Sequence, residues 1–208
     1  TGIGYRVMWE EVPAGTAPFD AANKLVFATG VLAGTSVPCS GRTAITTLFP
    51  SCWPKALTAS GHMGGRFASK LKYAGYDGII IEGKADKPVW LFIRDGRVEI
   101  RDAGHLWGTG IRRTTLEISR EMGADCVVAA IGQAGENRVP LSLIVNSVSH
   151  SAGGVGAVMG AKNLKAIGIQ GSGSVRIAGD KVEWERLIKF HLSILGGNNQ
   201  HVVPAFPH

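Results

Sequence analysis

The sequence predicts a mixed α+β (α/β) domain, and three observations carry that prediction. Short apolar runs of strand length alternate with segments of helical spacing. An Asp-Gly dipeptide separates two of the strand-like runs. A glycine-rich pattern, followed by a helix-like and then a strand-like stretch, occurs twice, which suggests two similar sheet-plus-helix halves related by a pseudo-twofold axis.

Residues 5–12 read as the middle of a helix, and residues 13–18 as a turn-rich connection. Lys24-Leu-Val-Phe-Ala-Thr29 and Thr43-Ala-Ile-Thr-Thr-Leu48 are apolar, β-branched runs and read as buried strands. Residues 88–94 and 97–102 flank Asp95-Gly96, the dipeptide that best supplies the two positive-φ positions of a tight hairpin. Ile111, Thr115, Ile118 and Met122 recur at helical spacing, with Gly123 placed to end the helix. Cys126-Val-Val-Ala-Ala-Ile131 and Pro140-Leu-Ser-Leu-Ile-Val145 read as short strands, and Asp180 with Glu183 as a capping box opening a last helix through Leu195.

Composition bounds the function. The chain has 208 residues, a length suited to one domain, with 45% apolar residues and a mean hydropathy of +0.12, which excludes intrinsic disorder. No apolar run approaches the ~18 residues of a membrane span, and no signal pattern is visible, so a cytoplasmic protein without membrane association is expected. Cys39, Cys52 and Cys126 are odd in number and widely spaced, which fits neither a disulfide framework nor a CxxC knuckle. The net charge of +6 is scattered, a mild bias toward anions and not a nucleic-acid patch. Thr1 and the abrupt tail at residues 202–208 suggest a fragment of a longer chain.

The 29 glycines are about one residue in seven, roughly twice the ~7% average. Many fall in the repeat. Ser60-Gly-His62-Met63-Gly64-Gly65 precedes a helix-like stretch and the run Gly78-Ile-Ile-Ile81, closed by Gly83. Ser149-His150-Ser151-Ala152-Gly153-Gly154 precedes another and the run Leu164-Lys-Ala-Ile-Gly-Ile169, closed by Gly171. Each Gly pair either brings backbone close to an anion such as phosphate at a helix start, or permits close packing of helix on sheet. Both readings stay open on spacing alone.

Gly154-Val-Gly156-Ala-Val-Met-Gly160 approximates a dinucleotide fingerprint, but it has one residue too many before the last glycine and leads to Gln170 where an acid is needed. Glu82 stands at a better place for a ribose but after a pair of the wrong spacing. His62 and His150 each precede a Gly pair, where imidazole would serve a phosphate or a heterocycle, or act as a cap. Arg42 closes the small-residue loop Ser36-Val-Pro-Cys-Ser-Gly41, where a guanidinium would clamp an anion. Cys39 in that loop lacks an adjacent base, and His105, His191, His201 and His208 read as structural. Trp9, Trp53, Trp90, Trp107 and Trp184 read as core or interface.

Four stretches carry a resemblance: Pro38-Cys-Ser-Gly-Arg42; Leu71-Lys-Tyr-Ala-Gly-Tyr-Asp77 with Ile81-Glu-Gly-Lys84; Ile131-Gly-Gln-Ala-Gly-Glu-Asn137; and Gly153-Gly-Val-Gly-Ala-Val-Met-Gly-Ala-Lys-Asn-Leu-Lys-Ala-Ile167. Over nearly its whole length the chain resembles the N-terminal domain of the aldehyde:ferredoxin oxidoreductase family, the tungsten- or molybdenum-pterin enzymes. The resemblance implies a duplicated α+β fold under a bis-pterin (molybdopterin-type) cofactor holding one tungsten or molybdenum, with magnesium bridging the pterin phosphates. It implies cofactor contacts at Arg42, at His62, Met63, Gly64 and Gly65, and at His150, Ser151, Ala152, Gly153 and Gly154, with no protein ligand to the metal in this segment. It implies an oxidoreductase converting an aldehyde and water to a carboxylic acid, with a [4Fe-4S] cluster in later domains, ferredoxin or another iron-sulfur carrier as acceptor, and a homodimer of the full-length protein.

His62 stands where the family usually has Asn, and the stretch from His150 to Gly154 is shortened and lacks two arginines, which marks a divergent subfamily. The expected organisation is a pterin-binding domain over residues 1–175 and a helix and linker over 176–208. The 208 residues alone are expected to be inactive. The alternative from a different class is a nucleotide- or dinucleotide-binding domain using the two Gly-rich helix starts.

Overall fold

A computed structural model describes residues 1–52, 54–147 and 150–196. The first half of the chain forms α1 (Gly2–Glu11), β1 (Leu25–Thr29), β2 (Thr43–Phe49), β3 (Leu57–Met63), α2 (Phe67–Tyr73) and β4 (Gly78–Ile81). The second forms β5 (Val89–Arg94), β6 (Arg97–Asp102), α3 (Ile111–Met122), β7 (Val127–Ala130), α4 (Gln133–Glu136), β8 (Ile144–Asn146), β9 (His150–Ala152), α5 (Gly156–Ala161), β10 (Leu164–Gln170) and α6 (Lys181–Gly196). The α+β class is therefore as predicted.

Two sheets hold these strands, one ordered β3-β2-β1-β4 and the other β6-β5-β10-β7-β8-β9. The order β9-β8-β7-β10 repeats the order β3-β2-β1-β4, and every pairing within both sets is antiparallel. The hairpin β5–β6 is added to the second set through a parallel pairing of β5 with β10. Asp95 and Gly96 turn it at φ 42° and 84°, the two positive values that the dipeptide was expected to supply.

The main core lies between the sheets. Leu25, Phe27, Ile45 and Met63 from the first meet Ile93, Val127, Ala129, Ile144, Leu164, Ile167 and Ile169 from the second. Alternation along β7 then sends Val128 and Ala130 to the other face, where they join Trp90, Phe92, Ile118 and Met122 under α3. Both faces of the second sheet are therefore covered. On the outer face of the first sheet, Val26 packs against Val7 and Met8 of α1.

Three local readings need correction. The strand expected over residues 140–145 begins only at Ile144, because Ser142 N–H closes a turn onto Val139 O at 2.9 Å and its own carbonyl accepts Gly156 N–H at 3.1 Å. Of the core-or-interface reading of the tryptophans, the core alternative fails for Trp9, which is 89% exposed, whereas Trp90 is buried. Of the capping box, Asp180 accepts Glu183 N–H at 2.8 Å while the Glu183 carboxylate turns to Arg186, so only half of it forms. Trp53, His201 and His208 lie outside the described residues. Among the described residues no helix is long and apolar enough to cross a membrane.

Two of the four recognised motifs clasp one another. A Cβ on Gly160 of α5 would sit 1.9 Å from Gly135 O of α4, and one on Gly135 would sit 3.1 Å from Gly156 O. Only glycine admits this approach. Beside it Lys165, wholly buried, pairs with Glu136, which is 5% exposed. Lys165 Nζ also donates to Thr109 O at 2.8 Å, and Glu136 Oε2 accepts Gly108 N–H at 2.9 Å. Each charge therefore has several partners, as burial requires. Replacing Glu136 with Gln would leave the Lys165 ammonium without its counter-charge, and equilibrium urea unfolding should show E136Q less stable by about 3–5 kcal/mol.

Candidate functional site

The predicted site residues come from three segments, and the structure brings all three together. The loop closed by Arg42 leads into β2, which pairs with β3 from Thr43↔Met63 to Phe49↔Leu57. β3 and β9 are the terminal strands of their sheets, and these two edges abut. A Cβ on Gly61 would come within 2.9 Å of Gly153 O and 3.1 Å of Ala152 Cβ. One on Gly64 would strike the His150 ring at 2.9 Å, and one on Gly41 would press Gly65 O at 3.3 Å. The glycines let the segments touch each other. At Gly64 and Gly65 the atoms that approach the Cβ position belong to the other half of the domain.

Sequence reasoning missed Asn146. This buried side chain donates to Gly64 O at 2.9 Å, tying β8 to the end of β3 across 82 positions of sequence. Its Nδ2 would also lie 2.5 Å from a Cβ on Gly65, which has φ +78°. A single Asn in an apolar run offers no signal that could have found it.

The surfaces divide cleanly. Met63 and Ala152 bury their side chains in the inter-sheet core, so only their backbone is available to a ligand. Arg42, His62, His150, Ser151 and Gly153 are exposed. Among the described residues no hydrogen bond or ion pair engages the Arg42 guanidinium. Gly154, at φ +73°, is demanded by the fold, since a Cβ would meet the Phe49 ring at 2.7 Å. Gly153 is different. A Cβ there would meet only Leu143 Cδ2 at 3.7 Å, an ordinary contact, and its φ is not positive. Nothing inside the protein requires glycine at this exposed position, which suits backbone left bare for a ligand. An exposed, unengaged guanidinium and bare backbone fit a phosphate-bearing group.

Other candidates fall away. Gly156 faces Leu143 O, 2.7 Å from where a Cβ would lie, and Gly160 faces α4, so the near-fingerprint is closed off by protein backbone. Glu82 pairs with Lys24 Nζ at 2.9 Å, and that hydrogen bond holds its carboxyl below the usual carboxylate range. α2 and α5 have seven and six residues, and α5 is wholly buried, so its start is a packing element. Cys126 lies beside a cleft of about 400 Å³ that Gly65, Arg66, Ser119 and His150 help line, with its Sγ 3.4 Å from Ser119 Oγ. Cys39 is exposed and Cys52 half-buried, and among the described residues no group of His, Cys, Asp and Glu could hold a metal ion.

The fold is a two-sheet α+β architecture, and comparison with known proteins assigns its family. Residues 1–171 match the aldehyde ferredoxin oxidoreductase N-terminal domain. The chain belongs to that family. It is 42% identical over 191 residues to the tungsten-containing aldehyde ferredoxin oxidoreductase of Pyrococcus furiosus, covering 90% of this chain and 31% of that protein. Against the enzyme of the same description from Pyrococcus abyssi the identity is 44%, with the same coverage. A Pyrococcus furiosus aliphatic sulfonate oxidoreductase, WOR-like subunit, is 36% identical over 90% of this chain and 32% of its own. Among solved structures, the active-site complex BamBC of benzoyl coenzyme A reductase with 1,5-dienoyl-CoA superimposes with a TM-score of 0.90 at 39% identity, over 99% of this chain and 31% of that one. The chain thus spans about a third of the length of these relatives.

The two adjacent glycines should behave oppositely. In thermal or urea unfolding, Gly154→Ala should cost about 1–3 kcal/mol through its positive φ and the Phe49 collision. Gly153→Ala should stay within about 0.5 kcal/mol of the parent.

Proposed function

We propose that this chain is the cofactor-binding N-terminal part of a tungsten- or molybdenum-pterin oxidoreductase, in which residues 1–175 form the pterin seat and 176–208 lead into further domains. The observation that carries the reading is the meeting of the loop that ends at Arg42 with the abutting edges of β3 and β9, in a family whose relatives are named as tungsten-containing. Arg42 offers the planar donor pair that takes a phosphate bidentately. His62, Met63, Gly64 and Gly65 on one side, and His150, Ser151, Ala152, Gly153 and Gly154 on the other, present backbone and short side chains to the cofactor. With matched strand orders behind them, the two edges would serve as a pseudo-twofold pair of contact stretches for a bis-pterin group and its magnesium.

When bound, that group supplies the redox and oxygen-transfer chemistry. The chain's own residues bind and orient it. Arg42 neutralises phosphate charge, Gly153 allows close approach, and the abutting edges fix the spacing of the two contact stretches. The whole enzyme would convert an aldehyde and water to a carboxylic acid, releasing two protons and delivering two electrons to ferredoxin or a similar carrier; a [4Fe-4S] cluster in later domains would supply the electron relay. Relatives whose names specify a sulfonate and a coenzyme A thioester share this domain, which supports a common cofactor seat here and substrate choice elsewhere.

In the anaerobically purified full-length protein, Arg42→Ala should lower tungsten or molybdenum and pterin content per chain several-fold, with the thermal midpoint of the metal-free protein unchanged. Full retention of metal and pterin would remove Arg42 from the seat. The 208 residues alone, supplied with cofactor, should show no aldehyde oxidation in a dye-reduction assay.

A further inference from the structure

Asn146 is 1% exposed, and sheet pairing on both sides fixes its place: Ala129 of β7 lies opposite on one side and His150 of β9 on the other. Two hydrogen bonds orient its amide. Gly64 O can only accept, and it takes a proton from Nδ2 at 2.9 Å, while Oδ1 accepts from Ser147 Oγ at 3.0 Å. The next glycine is shaped around this contact, since a Cβ on Gly65 would lie 2.5 Å from Asn146 Nδ2. A larger residue at 65 would push the amide off the Gly64 carbonyl. An apolar side chain at 146 would fill the same space and leave that carbonyl without its donor.

The consequence lies on the other side of the peptide. A trans peptide is planar with its N–H opposite its C=O, so a Gly64 carbonyl held toward buried Asn146 sends the Gly65 N–H the opposite way. Gly65 is exposed, and among the described residues nothing accepts from its N–H. Its own carbonyl faces the Arg42 loop, 3.3 Å from where a Cβ on Gly41 would lie. We propose that Asn146 is a positioning residue of the pterin seat: by holding Gly64 O it presents the Gly65 N–H as a preset donor to a phosphate oxygen of the cofactor. Enclosed as it is, the Asn146 side chain acts through the peptide and not by touching the cofactor. Two consecutive glycines without such a tether turn freely, and a donor that must be reoriented on binding gives up affinity. A second layer of hydrogen bonding that locks the contacting group removes that cost. This role rests on the cofactor reading above, to which it adds a residue that the recognised motifs do not contain.

Pterin release from the anaerobically purified full-length protein tests it with three variants. Asn146→Asp keeps the shape, but its carboxylate repels Gly64 O and attracts the Gly65 N–H, which turns the peptide over. Asn146→Ala removes the donor without adding charge. Leu106→Ala, in the core under α3, is the control that loses stability through packing alone. The thermal midpoint of each metal-free protein is measured beside the release rate. N146D and N146A should release pterin at least about fivefold faster than the parent, and faster than L106A even where L106A has the lower midpoint. Each rate being read against the parent at the same pH, N146D should approach it between about pH 8 and about pH 5.5, as the protonated carboxyl again donates to Gly64 O, while N146A keeps its excess. Should N146D fail to fold, N146A against L106A decides. Release that follows the thermal midpoint in all three variants, or position-146 variants that hold pterin as the parent does, would overturn the proposal. A parent carrying neither pterin nor metal would overturn the cofactor reading itself, and this role with it.

Discussion

The contact on which the rest of the domain depends is backbone against backbone, where α5 meets α4. Gly160 and Gly135 approach so closely that no side chain fits between them, and Gly156 is held as tightly against Leu143. This clasp fixes α5, and α5 fixes what flanks it: the Gly153–Gly154 turn on one side and β10 on the other. Lys165 of β10 returns the constraint by pairing with Glu136 at the end of α4, with the lysine wholly buried and the glutamate nearly so. A helix of six residues has little stability of its own. Its place is set entirely by packing, and the same packing aims the β9 edge at β3.

That aim is what builds the site. A sheet edge ordinarily exposes unpaired backbone and invites another strand. Here β3 and β9 are turned toward each other at glycines, with Asn146 bridging them through Gly64 O. The Arg42 loop reaches the same place because β2 pairs with β3 along its whole length. Three segments far apart in sequence are thereby held on a rigid base, which suits orienting a cofactor better than enclosing a substrate. The sharing of this domain by relatives named for an aldehyde, a sulfonate and a coenzyme A thioester accords with that division of labour.

Most of the fold was legible because most of it follows apolar period. β1, β2, β7, β10, the hairpin and α3 each have a run or a spacing that only one element satisfies. β3 was not legible: Leu57-Thr-Ala-Ser-Gly-His-Met63 is a half-exposed edge of small polar residues, and only Gly61 and Met63 are buried. The positions of the Gly pairs could be read, but not what approaches them. A glycine facing a phosphate and one facing another backbone look alike in sequence, and the structure shows Gly64, Gly65, Gly154, Gly156 and Gly160 facing protein. Of the two Gly pairs, Gly153 alone has neither a positive φ nor a close contact at its Cβ position. The recognised motifs around Gly135 and Gly160 pack against each other, and Arg42, singled out from one loop and one charge, is exposed.

The most direct measurement is a structure of the metal-loaded, full-length protein. The account expects phosphate density within hydrogen-bonding distance of the Arg42 guanidinium and of backbone in both the 62–65 and 150–154 stretches. Cofactor seated elsewhere, with Arg42 turned to a protein carboxylate and Gly153 covered by another part of the chain, would contradict it.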